Sequence, residues 1–148
     1  MRGEQKYEKL LLKNQLCYPV YLCAKEITRK YAPALKDLDL TYTQYIVMMY
    51  FWEEHESNVR DLGRALVIDP STLTPLLKKL EQKGYIDRVR SKSDERNLNV
   101  KITKKGLKLR DAALGVPEKM GKCLNLSHKE AKTLYNLMYK VIANIERE

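Results

Sequence analysis

The 148-residue chain holds little of what metal centres, disulfide scaffolds and membrane anchors are built from. Its two histidines, His55 and His128, have no partner at ligand spacing, and its three cysteines, Cys17, Cys23 and Cys123, form no Cys-x-x-Cys pair. Each histidine is expected to be an ordinary surface or cap residue. There is no glycine-rich phosphate loop and no nucleophile–base constellation, so no cofactor is expected and catalysis is not the leading reading. The sequence shows no internal repeat, low-complexity tract or long Gly/Ser linker. No apolar run approaches the roughly 20 residues of a membrane span, and Met1-Arg2-Gly3-Glu4-Gln5-Lys6 lacks the apolar core of a secretion signal. A cytoplasmic chain without a membrane partner is expected.

What is present points to a folded, basic protein. An apolar share of 44% beside 32% charged residues argues against disorder. The length suits one domain, or a domain with a helical dimerisation extension. A formal charge of +9 and a pI near 9.4 favour a polyanionic partner through counterion release.

The richest signals lie between Asn58 and Thr103. Asn58 is placed to cap a short helix to about Leu66, with Val59, Leu62, Ala65 and Leu66 facing inward. After a short turn, Asp69-Pro70 sets an acceptor at an N-cap and a ring-locked residue at the first helical position. Leu73, Leu76, Leu77 and Leu80 then form one stripe, and Gly84 stands where a left-handed stop is expected. Pro75 sits early enough to predict a local adjustment and no break. Tyr85–Arg90 and Leu98–Ile102 read as two strands around the charged turn 91–97. The whole is mainly α with a small β-hairpin wing, a winged helix-turn-helix. Its partner would be double-stranded DNA. Ser71, Thr72 and Thr74 are candidates for base edges or phosphates, Lys78 and Lys79 for phosphates, and Arg88 and Arg90 for backbone near the wing. Arg96 at the hairpin tip is the candidate for the minor groove. The plain alternative for the hairpin is a solvated turn with no ligand.

Elsewhere the chain reads as helix. Thr41-Tyr42-Thr43-Gln44 has the form of a capping box opening a helix to about Glu54, and Ser127-His128-Lys129-Glu130 opens the last helix. That last helix carries Ala131, Leu134, Tyr135, Met138, Val141, Ile142 and Ile145 as a wide apolar face, which predicts pairing with a second subunit. Thr103 caps a helix from about Lys104 to Gly121 that Pro117 is expected to bend or break. Pro19 places another helix start near Leu16 and leaves Cys17 among free amide hydrogens, where the helix dipole favours a thiolate. The alternative is a buried, inert thiol.

The stretch Asp69-Pro70-Ser71-Thr72-Leu73-Thr74-Pro75-Leu76-Leu77-Lys78-Lys79-Leu80-Glu81, followed by Gly84, Asp94-Glu95-Arg96 and Leu98, resembles the DNA-binding core of MarR-family regulators. The resemblance covers nearly the whole chain. It implies one MarR-type domain over 1–148, with the winged reader at about 41–103 and dimerisation helices at about 8–35 and 104–147. It further implies a homodimer on a pseudopalindromic operator, with Arg96 at the minor groove and Asp94 helping to hold it.

Asn14-Gln15-Leu16-Cys17, with Tyr21, Lys25-Glu26-Ile27-Thr28, Tyr31 and Leu40-Thr41-Tyr42 in register, is similar to the thiol-based subgroup that senses organic hydroperoxides. The similarity implies that Cys17 is the peroxidatic sensor, supported by Tyr21, Tyr31 and Tyr42, with tyrosines matching Tyr31 and Tyr42 reaching it across the dimer interface. It also implies that Cys123 resolves the oxidised thiol between subunits and that DNA is then released, as from a repressor. Pro19 and Cys23 depart from the pattern. Cys23 is a competing thiol, about two turns along the same helix. Two rivals stay open: a MarR-type regulator released by a small aromatic ligand, and a thiol peroxidase built on Cys17.

Overall fold

The computed structural model describes residues 6–90 and 98–145. Its helices are α1 (Cys17–Leu35), α2 (Tyr42–Glu54), α3 (Val59–Leu66), α4 (Pro70–Gln82), α5 (Lys104–Ala113), α6 (Gly115–Leu124) and α7 (His128–Ile145). Its strands are β1 (Glu56–Asn58), β2 (Ile86–Arg90) and β3 (Leu98–Ile102). Backbone contacts divide the chain into two units, 1–114 and 115–148. The first holds α1 to α5 and the sheet; the second holds α6 and α7.

Local hydrogen bonds account for most boundaries. Thr41 and Gln44 form the anticipated capping box of α2, the Gln44 amide donating to Thr41 Oγ1 and the Thr41 amide to Gln44 Oε1. His55 ends that helix at φ 62° and donates its amide to the Phe51 carbonyl, so this histidine serves as a cap. Asn58 Oδ1 accepts from the Asp61 amide at 2.8 Å and starts α3. The Ile68 amide then donates to the Gly63 carbonyl at 2.9 Å, folding the turn so tightly that a Cβ on Gly63 would lie 3.0 Å from the Ile68 oxygen. Within α3, Leu62 is buried but Ala65 is exposed, so the inward face is narrower than the sequence suggests.

Helix α4 begins at Pro70 as expected, yet the Asp69 side chain makes no cap hydrogen bond. Instead the Asp69 carbonyl accepts from the amides of Thr72 and Leu73 at 3.0 and 2.9 Å. Pro70 already removes one orphan donor, and the exposed Asp69 carboxylate stays in water. Pro75 leaves the helix unbroken. Gly84, at φ 74°, ends it: its amide donates to the Glu81 carbonyl and that of Tyr85 to the Leu80 carbonyl, a Schellman motif.

The hairpin β2–β3 pairs antiparallel from Ile86↔Ile102 to Arg90↔Leu98. The sheet has a third strand that the sequence reading lacked, because β1 pairs Glu56, Ser57 and Asn58 with Lys101, Val100 and Asn99, giving the order β1-β3-β2. Thr103 Oγ1 accepts from the Gly106 amide and starts α5. That helix ends at Ala113, earlier than the expected bend, and Pro117 falls in the first turn of α6. The proline ring would collide with the carbonyl four residues back, which is that of Ala113.

The core of the first unit sits beneath the reader. Leu35, Val47, Met48, Phe51, Leu62, Leu73, Leu77, Leu80, Ile86 and Val100 are almost wholly removed from water. Every apolar residue of the α4 stripe is among the buried residues, which is why its other face is free for a ligand. In the second unit, Ser127 and Glu130 form the box that opens α7. Leu134, Tyr135, Val141, Ile142 and Ile145 on that helix are exposed.

Candidate nucleic-acid interface and sensor cysteine

The outer face of α4 carries Ser71, Thr72, Thr74, Lys78 and Lys79, all exposed. The Thr74 hydroxyl donates to the Pro70 carbonyl at 2.8 Å and presents its lone pairs outward; turning the same proton outward suits it to a phosphate oxygen. Arg88, a candidate for the DNA backbone near the wing, has a partner within the chain. Its guanidinium lies against Glu81, with Nε at 2.8 Å and Nη2 at 2.6 Å from Oε2, and its side chain is only 19% exposed. The Arg88 amide also donates to Glu81 Oε1. Arg88 therefore ties β2 to the last turn of α4, and the hydrogen bonds and charge of this partner hold the Glu81 carboxyl below its ordinary pKa. Arg90 closes β2 opposite Leu98. Asp94 and Arg96 lie outside the described residues.

An open groove runs between α3 and α4. It is lined by Arg60 and Arg64 together with Val67, Asp69, Pro70, Thr74 and, from β3, Leu98. The two arginines went unnoticed in the sequence. Their spacing of four residues, on the side of α3 away from buried Leu62, was the available signal.

The far end of α4 is held from two sides. Lys83 pairs with Asp39 Oδ2 at 2.8 Å and also donates to the Asp39 carbonyl. Lys105, from α5, donates to the Lys83 carbonyl at 2.6 Å and lies 5.0 Å from the Tyr85 ring. The connector after α1 and the first turn of α5 thus both grip the reading helix.

Cys17 is the first residue of α1, capped by Leu16 without a side-chain hydrogen bond, and its side chain is exposed. Pro19 falls within the first turn, where its missing amide hydrogen costs nothing. Farther along, Tyr31 meets Tyr42 of α2 with ring centroids 4.6 Å apart, and Tyr31 meets Tyr45 at 6.0 Å. Burial, then the neighbouring phenols Tyr42 and Tyr45, raise the Tyr31 pKa, so its hydroxyl keeps its proton. Tyr45 reaches Trp52 edge-on at 5.9 Å, and Trp52 Nε1 donates to the Gly106 carbonyl at 2.9 Å. A continuous aromatic file thus runs from α1 to the start of α5. Tyr21 is exposed on α1. Cys23 is exposed on the same helix, and Cys123 is exposed on α6 of the second unit. Six residues of helix separate Cys17 from Cys23 by about 9 Å, too far for a disulfide without rearrangement. Among the described residues no group of His, Cys, Asp and Glu is arranged to hold a metal.

Two helices joined by a tight turn, with an antiparallel wing beside the second, define a winged helix-turn-helix protein. A family model for the transcriptional regulator SarA/Rot matches residues 29–113. The regulator SarZ of Staphylococcus haemolyticus is 41% identical over 133 residues, 90% of each chain. The organic hydroperoxide resistance transcriptional regulator of Bacillus subtilis is 34% identical over 145 residues, 98% of this chain and 99% of the relative. The chain belongs to the SarA/Rot family of MarR-like transcriptional regulators. Among solved structures, reduced AbfR bound to DNA superposes with a TM-score of 0.80 at 32% identity, covering 99% of this chain and 98% of that one. AbfR of Staphylococcus epidermidis has also been solved overoxidised on DNA and with a disulfide formed.

Proposed function

We propose that this chain is a cytoplasmic, homodimeric DNA-binding regulator, acting as a repressor, that lets go of its operator when an organic hydroperoxide or related oxidant converts Cys17 to a disulfide. The observation that carries this reading is an exposed thiol at the first residue of α1, in the same unit as a reader whose outer face is free. The relatives support it, since one is named for organic hydroperoxide resistance and another is known in reduced and disulfide forms.

In the proposed chemistry, the Cys17 thiolate attacks the peroxidic oxygen and the O–O bond breaks. The alkoxide leaves as alcohol after taking a proton, and Cys17 holds a sulfenic acid. Cys123 of the partner subunit then forms the S–S bond and water leaves. Tyr21, Tyr31 and Tyr42 are assigned to thiolate support. On DNA, Ser71, Thr72 and Thr74 take base edges or phosphates, Lys78 and Lys79 phosphates, Arg88 and Arg90 the backbone near the wing, and Arg96, held by Asp94, the minor groove. Overoxidised AbfR is itself bound to DNA, which favours the disulfide, and not oxidation of one thiol, as the releasing event here.

The test is a cumene hydroperoxide titration of the operator complex, reversed with dithiothreitol. Wild type is expected to dissociate, Cys17→Ser to stay bound, and Cys123→Ser to consume oxidant once while remaining on DNA. Release of the Cys17→Ser variant would overturn the sensor assignment. Release of Cys123→Ser with a small-thiol adduct would overturn the resolving role.

A further inference from the structure

The turn between α3 and α4 contains a residue whose conformation and chemistry disagree. Val67 sits in the left-handed region at φ 52°, ψ 48°, and the helix-ending hydrogen bonds around it require that geometry. Its amide donates to the Arg64 and Gly63 carbonyls, and the Ile68 amide donates to Gly63. Glycine or asparagine adopts such a position readily, whereas a β-branched residue is strained there. Burial does not offset that strain, because the residue is 84% exposed. An apolar group held in a strained backbone and left in water gains nothing within this chain. Strain of that kind clusters at ligand clamps and other functional sites.

The surroundings say what that partner is. Val67 lines the open groove with Arg60, Arg64, Pro70 and Thr74. It precedes Pro70, the first residue of α4, by three positions, at the end of the reading helix that meets base edges in this class of motif. Two exposed guanidiniums beside it suit a phosphate backbone. The apolar group that a major groove presents is the thymine methyl. We propose that Val67 is a specificity residue, packing its two methyls on a thymine methyl in each half-site while Arg60 and Arg64 hold the flanking phosphates.

This inference rests on the DNA-binding reading above, and the experiment separates the two. Selection from random duplexes with the full-length dimer is expected to enrich a two-fold site with a thymine at one position of each half. Val67→Ala is expected to lose preference at that position alone. Replacing this thymine by deoxyuridine should weaken wild-type binding about fourfold per half-site, from the loss of one buried methyl, and leave Val67→Ala binding unchanged. Salt dependence should be the same in both proteins, since no phosphate contact is lost. Val67→Gly provides a second arm: it should bind as Val67→Ala does, yet melt about 3 °C higher than Val67→Ala, because glycine relieves the left-handed strain. If both variants keep the wild-type thymine preference, or if Val67→Gly melts below Val67→Ala, the inference is overturned. A wild-type chain that selects no sequence overturns the DNA-binding reading together with it.

Discussion

Glu81 and Arg88 lie on different elements, and their side chains meet at 2.6 Å. In sequence Arg88 is one of several cations near a wing, and nothing along the chain reveals that Glu81 faces it across the Schellman turn. The pair has a pH signature. Because the folded Glu81 carboxyl titrates below its unfolded value near 4.5, its contribution is complete above that value and is lost as pH falls through the folded pKa. Thermal melts should therefore place Glu81→Gln below wild type at neutral pH, with the gap closing in acid; a gap independent of pH would mean that the ion pair does not stabilise the fold. Lys78 and Lys79 have the opposite character, exposed and readable as phosphate ligands from the outset. Replacing either by alanine should reduce the slope of log affinity against log salt by about 1 per operator contact, without changing the melting temperature.

Elements that end on local chemistry were readable in advance. Thr41, Asn58, Thr103 and Ser127 each start a helix, and Gly84 stops one, because caps are decided by neighbours within a few residues. Strand β1 was not readable, since three polar residues carry no alternation and its existence depends on β3 beside it. The early end of α5 was only half visible: Pro117 announced a break, but the collision falls at Ala113. Gly106 is the most constrained of the described glycines, because a Cβ there would run into the Tyr85 carbonyl and the Ile102 side chain. Gly106→Ala is expected to cost about 1–3 kcal/mol, read as a lower denaturation midpoint. An unchanged midpoint would mean that α5 shifts away from the sheet freely.

At the scale of the whole molecule, both units leave apolar surface in water. Leu16, Tyr18 and Val20 of the first unit are exposed, as are Leu134, Val141 and Ile142 of the second. A homodimer gives that surface a partner, and operators with two half-sites need one. Leu134→Glu combined with Ile142→Glu is expected to sediment as a monomer and to bind operator at least tenfold more weakly; a dimer that persists would move the interface elsewhere. Family resemblance implies a pairing of Cys17 with Cys123 between subunits, and a bond between two chains leaves no mark on the residue spacing within either one. Non-reducing electrophoresis after hydroperoxide treatment should show a linked dimer that Cys123→Ser lacks.

Trp52 is the chain's one tryptophan, 9% exposed, donating to Gly106 and touched edge-on by Tyr45. The protein thus carries a built-in optical gauge at the seam between α2 and α5. In the closed seam the indole should emit at short wavelength and collect excitation energy from the tyrosine file that begins at Tyr31. Any rearrangement that opens this seam should redden and dim this emission in real time, with no label attached.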